Sequence, residues 1–210
     1  QRYLNGKMRE QLNQKSIKYN WHEAETTMIE GVLARGDRRL SKVILDVYKA
    51  GGIYDAWSEH FDYDRWLKAF EDNNIDDGRL LVFLSEYDQE PCLLEIKCDK
   101  NHKSVVDTLK WYDGCISTDT ATMNMVLRDV HEISPQGTYG LIVWSHANGW
   151  LPQYHFYNMS YSAAPASIGH EGKAKSTMDI DMFAKALEPY HFDYVLFDAC
   201  LMGCVEVAYE

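Results

Sequence analysis

A chain of 210 residues can bury one or two cores, and its 46% hydrophobic and 25% charged residues are ordinary for a globular protein. A formal net charge of −11 disfavours nucleic acid and anionic membranes as partners. No apolar run approaches the roughly 20 residues of a membrane span, the N-terminus has no apolar signal core, and the 5 cysteines form neither a disulfide framework nor a zinc pattern. In chain order, residues 1–76 read as helical throughout and carry nearly balanced charge, whereas residues 77–210 hold almost all of the negative excess. Lys42-Val43-Ile44-Leu45-Asp46-Val47-Tyr48 spaces its apolar residues as a helix does and stops at Gly51-Gly52. Asp64–Phe70 is a second amphipathic piece. The turn-rich stretch Asn73–Gly78 then separates a helical segment, 1–76, from a second unit, 77–210.

Beyond that turn the pattern alternates. Strands are expected over Arg79–Tyr87 and Pro91–Lys97, and helices over Lys103–Trp111 and Thr120–Ile133, the latter with Ser117, Thr118 and Asp119 as cap candidates. A strand over Tyr139–Ser145, a helix over Asp181–Leu187 and a strand over Phe192–Asp198 follow. This order implies βαβ units, an α/β fold class and a mostly parallel sheet flanked by helices.

Two strand ends carry the chemistry. The apolar run Tyr139–Trp144 leads into Ser145-His146-Ala147-Asn148-Gly149-Trp150. The run Tyr194–Phe197 leads into Asp198-Ala199-Cys200-Leu201-Met202, ahead of a helix start at Gly203. A thiol at a strand-to-helix turn lies near the positive end of a helix, which favours the thiolate. Histidine is the proton carrier suited to neutral pH. Amide hydrolysis also needs donors for the oxyanion, each worth roughly 3–4 kcal/mol. The backbone N–H groups of Ala147 and Cys200 are the candidates. Each residue has a plainer reading. Taken alone, Cys200 is a small buried hydrophobe and His146 a strand-end residue bonded to Ser145. Asp198 caps the next helix as readily as it binds substrate. Cys204 reads as core, and His22, His60 and His131 as surface or structural residues.

Residues from about 78 to 210 resemble the clostripain family of cysteine peptidases, relatives of the caspases. The resemblance rests on Tyr139–His146 with Gly149-Trp150-Leu151-Pro152, and on Phe192–Gly203 with Val205–Glu210. It implies a caspase-like sheet, a catalytic dyad of His146 and Cys200, cleavage after Arg or Lys, and Asp198 as the acidic residue that holds the basic P1 side chain. It implies no cofactor and no metal, and its partners are protein or peptide substrates. Relatives of this kind are often exported, and the compartment of this chain stays open. The family usually has Gly where this chain has Ala147, which would be strained if the position required positive φ. Relatives are commonly matured by cleavage in a linker. Here the polar stretch Met159–Thr177 contains Lys173 and Lys175, suited to self-cleavage, though a plain loop reads equally well. The family also has a strand before Arg79 and continues past the catalytic Cys.

Ile29–Leu40 and Trp57–Trp66 resemble the rear part of a cobalamin-binding radical SAM protein. That family holds its cluster on Cys-x-x-x-Cys-x-x-Cys, and Cys200 and Cys204 lack a third member, so radical chemistry cannot reside here. The two resemblances meet near Ile75–Gly78 and read as a fusion whose halves share little interface. The sequence thus supports a cysteine endopeptidase cutting after Arg or Lys. The alternative is an inactive fusion fragment, or part of a radical SAM protein without its cluster motif.

Overall fold

The computed structural model describes residues 38–54, 60–75, 78–86, 89–135, 139–147, 168–171 and 176–199, with Met202 and Val207. Among the described residues two helices lead, α1 (Arg38–Ala50) and α2 (Tyr63–Asn73). Three strands follow, β1 (Leu80–Leu84), β2 (Cys92–Cys98) and β3 (Ser104–Trp111). After α3 (Thr120–Ile133) come β4 (Tyr139–Ser145), β5 (Ile168–Glu171), β6 (Ser176–Met178), α4 (Ile180–Leu187) and β7 (Phe192–Ala199).

The helix ends follow from their cap residues. The Asp62 carboxylate accepts the Arg65 N–H at 2.9 Å to open α2, and Asn74 closes it in the left-handed region at φ 50°. Asp119, among the three cap candidates, opens α3 by accepting the Ala121 N–H at 3.0 Å.

Strands β1, β2 and β3 form an antiparallel sheet in that order, β4 and β7 pair in parallel, and β5 and β6 pair antiparallel. The α/β class and the parallel pairing of the two motif-bearing strands are as expected. The direction of the first three strands is not, and neither is one element: Lys103–Trp111, expected as a helix, contains the strand Ser104–Trp111. Val105, Val106 and Leu109 have helix-compatible spacing, but Asp99 overrides it. Its carboxylate accepts the N–H groups of Asn101 (2.8 Å) and Lys103 (2.9 Å), and His102 turns through φ 58°, so the chain reverses. Those backbone donors hold the Asp99 carboxyl below its ordinary range. The β-branched residues then suit the ladder along β2.

Alternate strand residues face two different cores. On one face Leu84, Cys92, Leu94 and Ile96 pack with Val43, Ile44 and Val47 of α1 and Trp66, Ala69 and Phe70 of α2. Ile142 of β4 and Tyr194 of β7 lean on the same core. On the other face Leu93 meets Val126 of α3, while Met178, Ile180, Phe183, Met202 and Val207 back the β4–β7 pair. The sheet strands therefore lie between helical layers. The expectation that the N-terminal segment shares little interface with the sheet fails for the described residues. The apolar stripes of α1 and α2 are covered by β1 and β2. Burying side chains such as Trp66 and Phe70 contributes about 1.5–3 kcal/mol each. Residues 1–37 and the boundary at 76–77 lie outside the described residues.

Glu95 is the buried charge of the sheet, 2% exposed. Arg79 bonds one carboxylate oxygen and Lys97 the other, at 2.6 Å. Burial alone would raise its pKa, but the two cations outweigh burial and hold the carboxyl below the ordinary glutamate range. Asp129 behaves likewise, with Lys110 (2.7 Å) and Tyr112 (2.8 Å) outweighing burial. Both carboxylates have folded pKa values below their unfolded ones. Their stabilisation is present above about pH 4.3 and is lost as pH falls through the folded values. Denaturant midpoints measured from pH 6 down to pH 2.5 should therefore fall for the wild type and fall less steeply for Glu95→Gln. An identical slope would show that Glu95 carries no acid sensitivity.

Phe70→Ala should cost about 3–5 kcal/mol, in a single unfolding transition that melts helix and sheet together. Two separate transitions would contradict the shared core.

Candidate active site

The β4–β7 ladder is parallel and nearly uninterrupted. Leu141 pairs with Val195, Val143 with Phe197, Trp144 with Asp198 and Ser145 with Ala199. His146 follows Ser145 in sequence, and Cys200 follows Ala199. Cys200 lies outside the described residues, as do its following Leu201 and Cys204. Its covalent neighbour Ala199 does not, and adjacent strands run about 4.8 Å apart. The two motif-bearing strands thus end, at Ser145 and Ala199, on the same carboxyl edge of one parallel pair.

His146 is exposed, and its carbonyl accepts the Gly169 N–H at 3.1 Å. That bond belongs to an antiparallel bridge between Ala147 and Ile168. With Gly169 donating to His146, Ala147 and Ile168 are a non-hydrogen-bonded pair, so the Ala147 N–H points away from β5. On a strand flanked by β5 on one side and β7 on the other, away from β5 is towards the β7 side. Ala147 is 4% exposed and lies outside the positive-φ region, which among the described non-glycine residues holds Asn74 and His102. The strain expected of Ala at this position is absent.

Asp198 is the penultimate residue of β7, on the face that carries Trp144, Ile142 and Tyr194. The Tyr48 hydroxyl of α1 donates to its Oδ2 at 3.1 Å. Burial first, and then the Asp198 charge, push the Tyr48 phenol far above its usual range, so it stays a donor. Beside it the Tyr54 ring stacks on Trp144, with centroids 3.6 Å apart and planes 10° from parallel. Neither contact was legible in sequence. Tyr48 sits in an apolar helical stripe, and no local motif links it to a residue 150 positions away.

Cys92 and Cys98 are buried, and burial followed by the Glu86 charge pushes the Cys92 thiol up, as befits a core residue and not a nucleophile. His131 stacks on Tyr190 and meets Tyr139 at a tilt of 46°, each with ring centroids 4.3 Å away, and burial lowers its pKa. His60 bonds Glu86 at 3.2 Å. Both fit the structural reading. The stretch expected as a polar loop, Met159–Thr177, contains β5 and the start of β6. Lys173 and Lys175 fall between these strands in sequence and lie outside the described residues.

Residues 67–210 match the model of the clostripain family. This chain belongs to the clostripain family. Three solved structures are similar. A secreted C11 cysteine protease from Bacteroides thetaiotaomicron, in complex with an irreversible peptide inhibitor, is 34% identical over 62% of this chain and 35% of its own, with a TM-score of 0.53. An inactive zymogen C11 protease from Parabacteroides distasonis is 31% identical over 67% of this chain and 36% of its own, TM-score 0.53. The secreted Bacteroides thetaiotaomicron C11 protease iotapain is 29% identical over 68% of this chain and 41% of its own, TM-score 0.56. The chain thus spans between 35% and 41% of the length of these relatives. No curated protein matches it. The family match begins at Leu67, inside α2, so the clostripain-like region includes part of the segment that sequence assigned elsewhere.

The ladder has one close approach. Gly140 pairs with Tyr194, and a Cβ at position 140 would stand 2.1 Å from the Tyr194 ring carbon Cζ. Gly140→Ala must displace that ring from the core beneath α1 and should lower stability by about 1–3 kcal/mol in denaturant titration. An unchanged midpoint would show that the Gly140–Tyr194 register is wrong.

Proposed function

We propose that the chain carries the histidine and cysteine of a cysteine endopeptidase that cleaves after Arg or Lys. The supporting observation is the parallel register of Ser145 with Ala199, the residues that precede His146 and Cys200 in sequence. His146 takes the Cys200 thiol proton, and the sulfur attacks the scissile carbonyl carbon. The oxyanion accepts the N–H groups of Ala147 and Cys200. His146 then gives its proton to the leaving amine. Water, deprotonated by His146, hydrolyses the thioester, releases the acid and restores the thiol.

The P1 preference is assigned to Asp198, two residues before Cys200. Its carboxylate accepts charge-assisted hydrogen bonds from a guanidinium or ammonium group. The reading makes Lys173 and Lys175 sites of self-cleavage, since each offers a basic P1 residue in the stretch between the two catalytic residues. The partners are proteins and peptides with basic P1 residues, not nucleic acid or membrane. No step calls on a metal or cofactor.

Purified protein and peptide substrates with a reporter after P1 test this directly. Cys200→Ala should reduce turnover after Arg by orders of magnitude, and His146→Ala nearly as much, because the two act as a unit. Asp198→Ala should raise KM for basic P1 substrates more than it lowers kcat. Full activity in Cys200→Ala overturns the mechanism, and equal cleavage after Leu and Arg overturns the pocket assignment.

A further inference from the structure

We propose that Tyr48 is a positioning residue for the Asp198 carboxylate, so that helix α1 sets how firmly a basic P1 side chain is held. The inference rests on the reading of Asp198 as the P1 acceptor and adds a residue to it. Tyr48 lies ahead of residues 67–210, so its contact with the site comes from outside the matched family region.

The geometry supports positioning in three ways. The Tyr48 hydroxyl donates to Oδ2 at 3.1 Å, which fixes an aspartate torsion that is otherwise broad. The hydroxyl is itself anchored, because its neighbours Val47 and Ile44 are 0% and 6% exposed in the core between α1 and the sheet. The chain after α1 is pinned to the same strand ends, where Tyr54 stacks on Trp144, the register partner of Asp198.

A fixed carboxylate matters more to arginine than to lysine. A guanidinium binds a carboxylate through two parallel N–H donors in a set plane, whereas an ammonium is a point charge that tolerates rotation. Losing the hydroxyl should therefore cost arginine binding most. The opposite arrangement, in which Tyr48 blocks Asp198 and competes with substrate, gives the opposite sign.

The test compares wild type and Tyr48→Phe, which keeps the packed ring, using peptides with Arg, Lys or a neutral residue at P1. KM for the Arg peptide should rise about three- to tenfold, the worth of one ordinary hydrogen bond, because Tyr48 acts through Asp198 and not on the substrate. It should rise less for Lys, with kcat within about twofold for both, the signature of lost ground-state binding. A merely structural role would lower kcat for all three peptides alike. An unchanged or lowered KM for Arg overturns the proposal. Independently of activity, the Asp198 side-chain 13C carboxyl resonance in the labelled full chain should shift in Tyr48→Phe. An unmoved resonance also overturns it. A wild type without basic preference sinks the P1 assignment and this inference with it. A wild type with basic preference that Tyr48→Phe reproduces sinks this inference alone.

Discussion

The parallel ladder of β4 and β7 is the constraint on which the site depends. Parallel strands cannot be joined by a tight turn, so the chain between them must leave the sheet, cover a face and return. Here it does so through β5, β6 and α4, and Phe183 and Ile180 of α4 seal the face behind Val143 and Phe197. Both strands are mainly apolar, Tyr139–Trp144 on β4 and Tyr194–Phe197 on β7. Polarity returns together at Ser145-His146 and at Asp198, where the strands run out of cover. The pairing of Ser145 with Ala199 thus turns two motifs 54 residues apart in sequence into one edge. The same ladder orients the backbone beyond it. The bridge of Ala147 to Ile168 consumes the His146 carbonyl and turns the Ala147 N–H away from β5.

The opposite face depends on the leading helices. Helices α1 and α2 cover β1 and β2 through Val43, Val47, Trp66 and Phe70, and also reach Ile142 and Tyr194 on the site-bearing strands. Gly140 is the position where that reach is tightest, since the Tyr194 ring occupies the space a side chain would need. Helical cover and site geometry are therefore mechanically joined. The Tyr48–Asp198 and Tyr54–Trp144 contacts extend the joint to the strand ends. The buried Glu95 serves a different purpose: with Arg79 on β1's approach and Lys97 on its own strand, it ties the antiparallel sheet to α3 through the Arg79 bond to the Ile133 carbonyl.

The strand ends and their residues were legible in sequence because their signal is local. Tyr139–Ser145 was bounded to the residue, and Phe192–Ala199 and Ile180–Leu187 to within one, by apolar runs that stop at polar turns. The strand Ser104–Trp111 was misread because period alone cannot separate Val-Val-x-x-Leu on a helix from the same residues on an edge strand. The deciding feature was the Asp99 side chain capping a reversal. The β5 strand was hidden in a polar stretch, since its ladder is short and its bridge to Ala147 is non-local. The interface of α1 with the sheet was misjudged for a related reason. An amphipathic stripe says that a helix is covered, not by what, and a resemblance to another family pointed away from the true partner. Tyr48 shows the limit most plainly, because its role depends on a residue 150 positions away.

The proposed dyad requires that the register of β4 with β7 bring position 146 and Cys200 within side-chain reach. A disulfide reports this directly, because it forms only when Cα atoms lie about 4.4–6.8 Å apart. The decisive measurement is mild oxidation of His146→Cys, followed by peptide mapping of the cross-links. The account requires a bond between the thiol at position 146 and Cys200, formed ahead of any bond to Cys92, Cys98 or Cys115. A fully oxidised sample in which position 146 and Cys200 remain unlinked, or link to other cysteines, would contradict it.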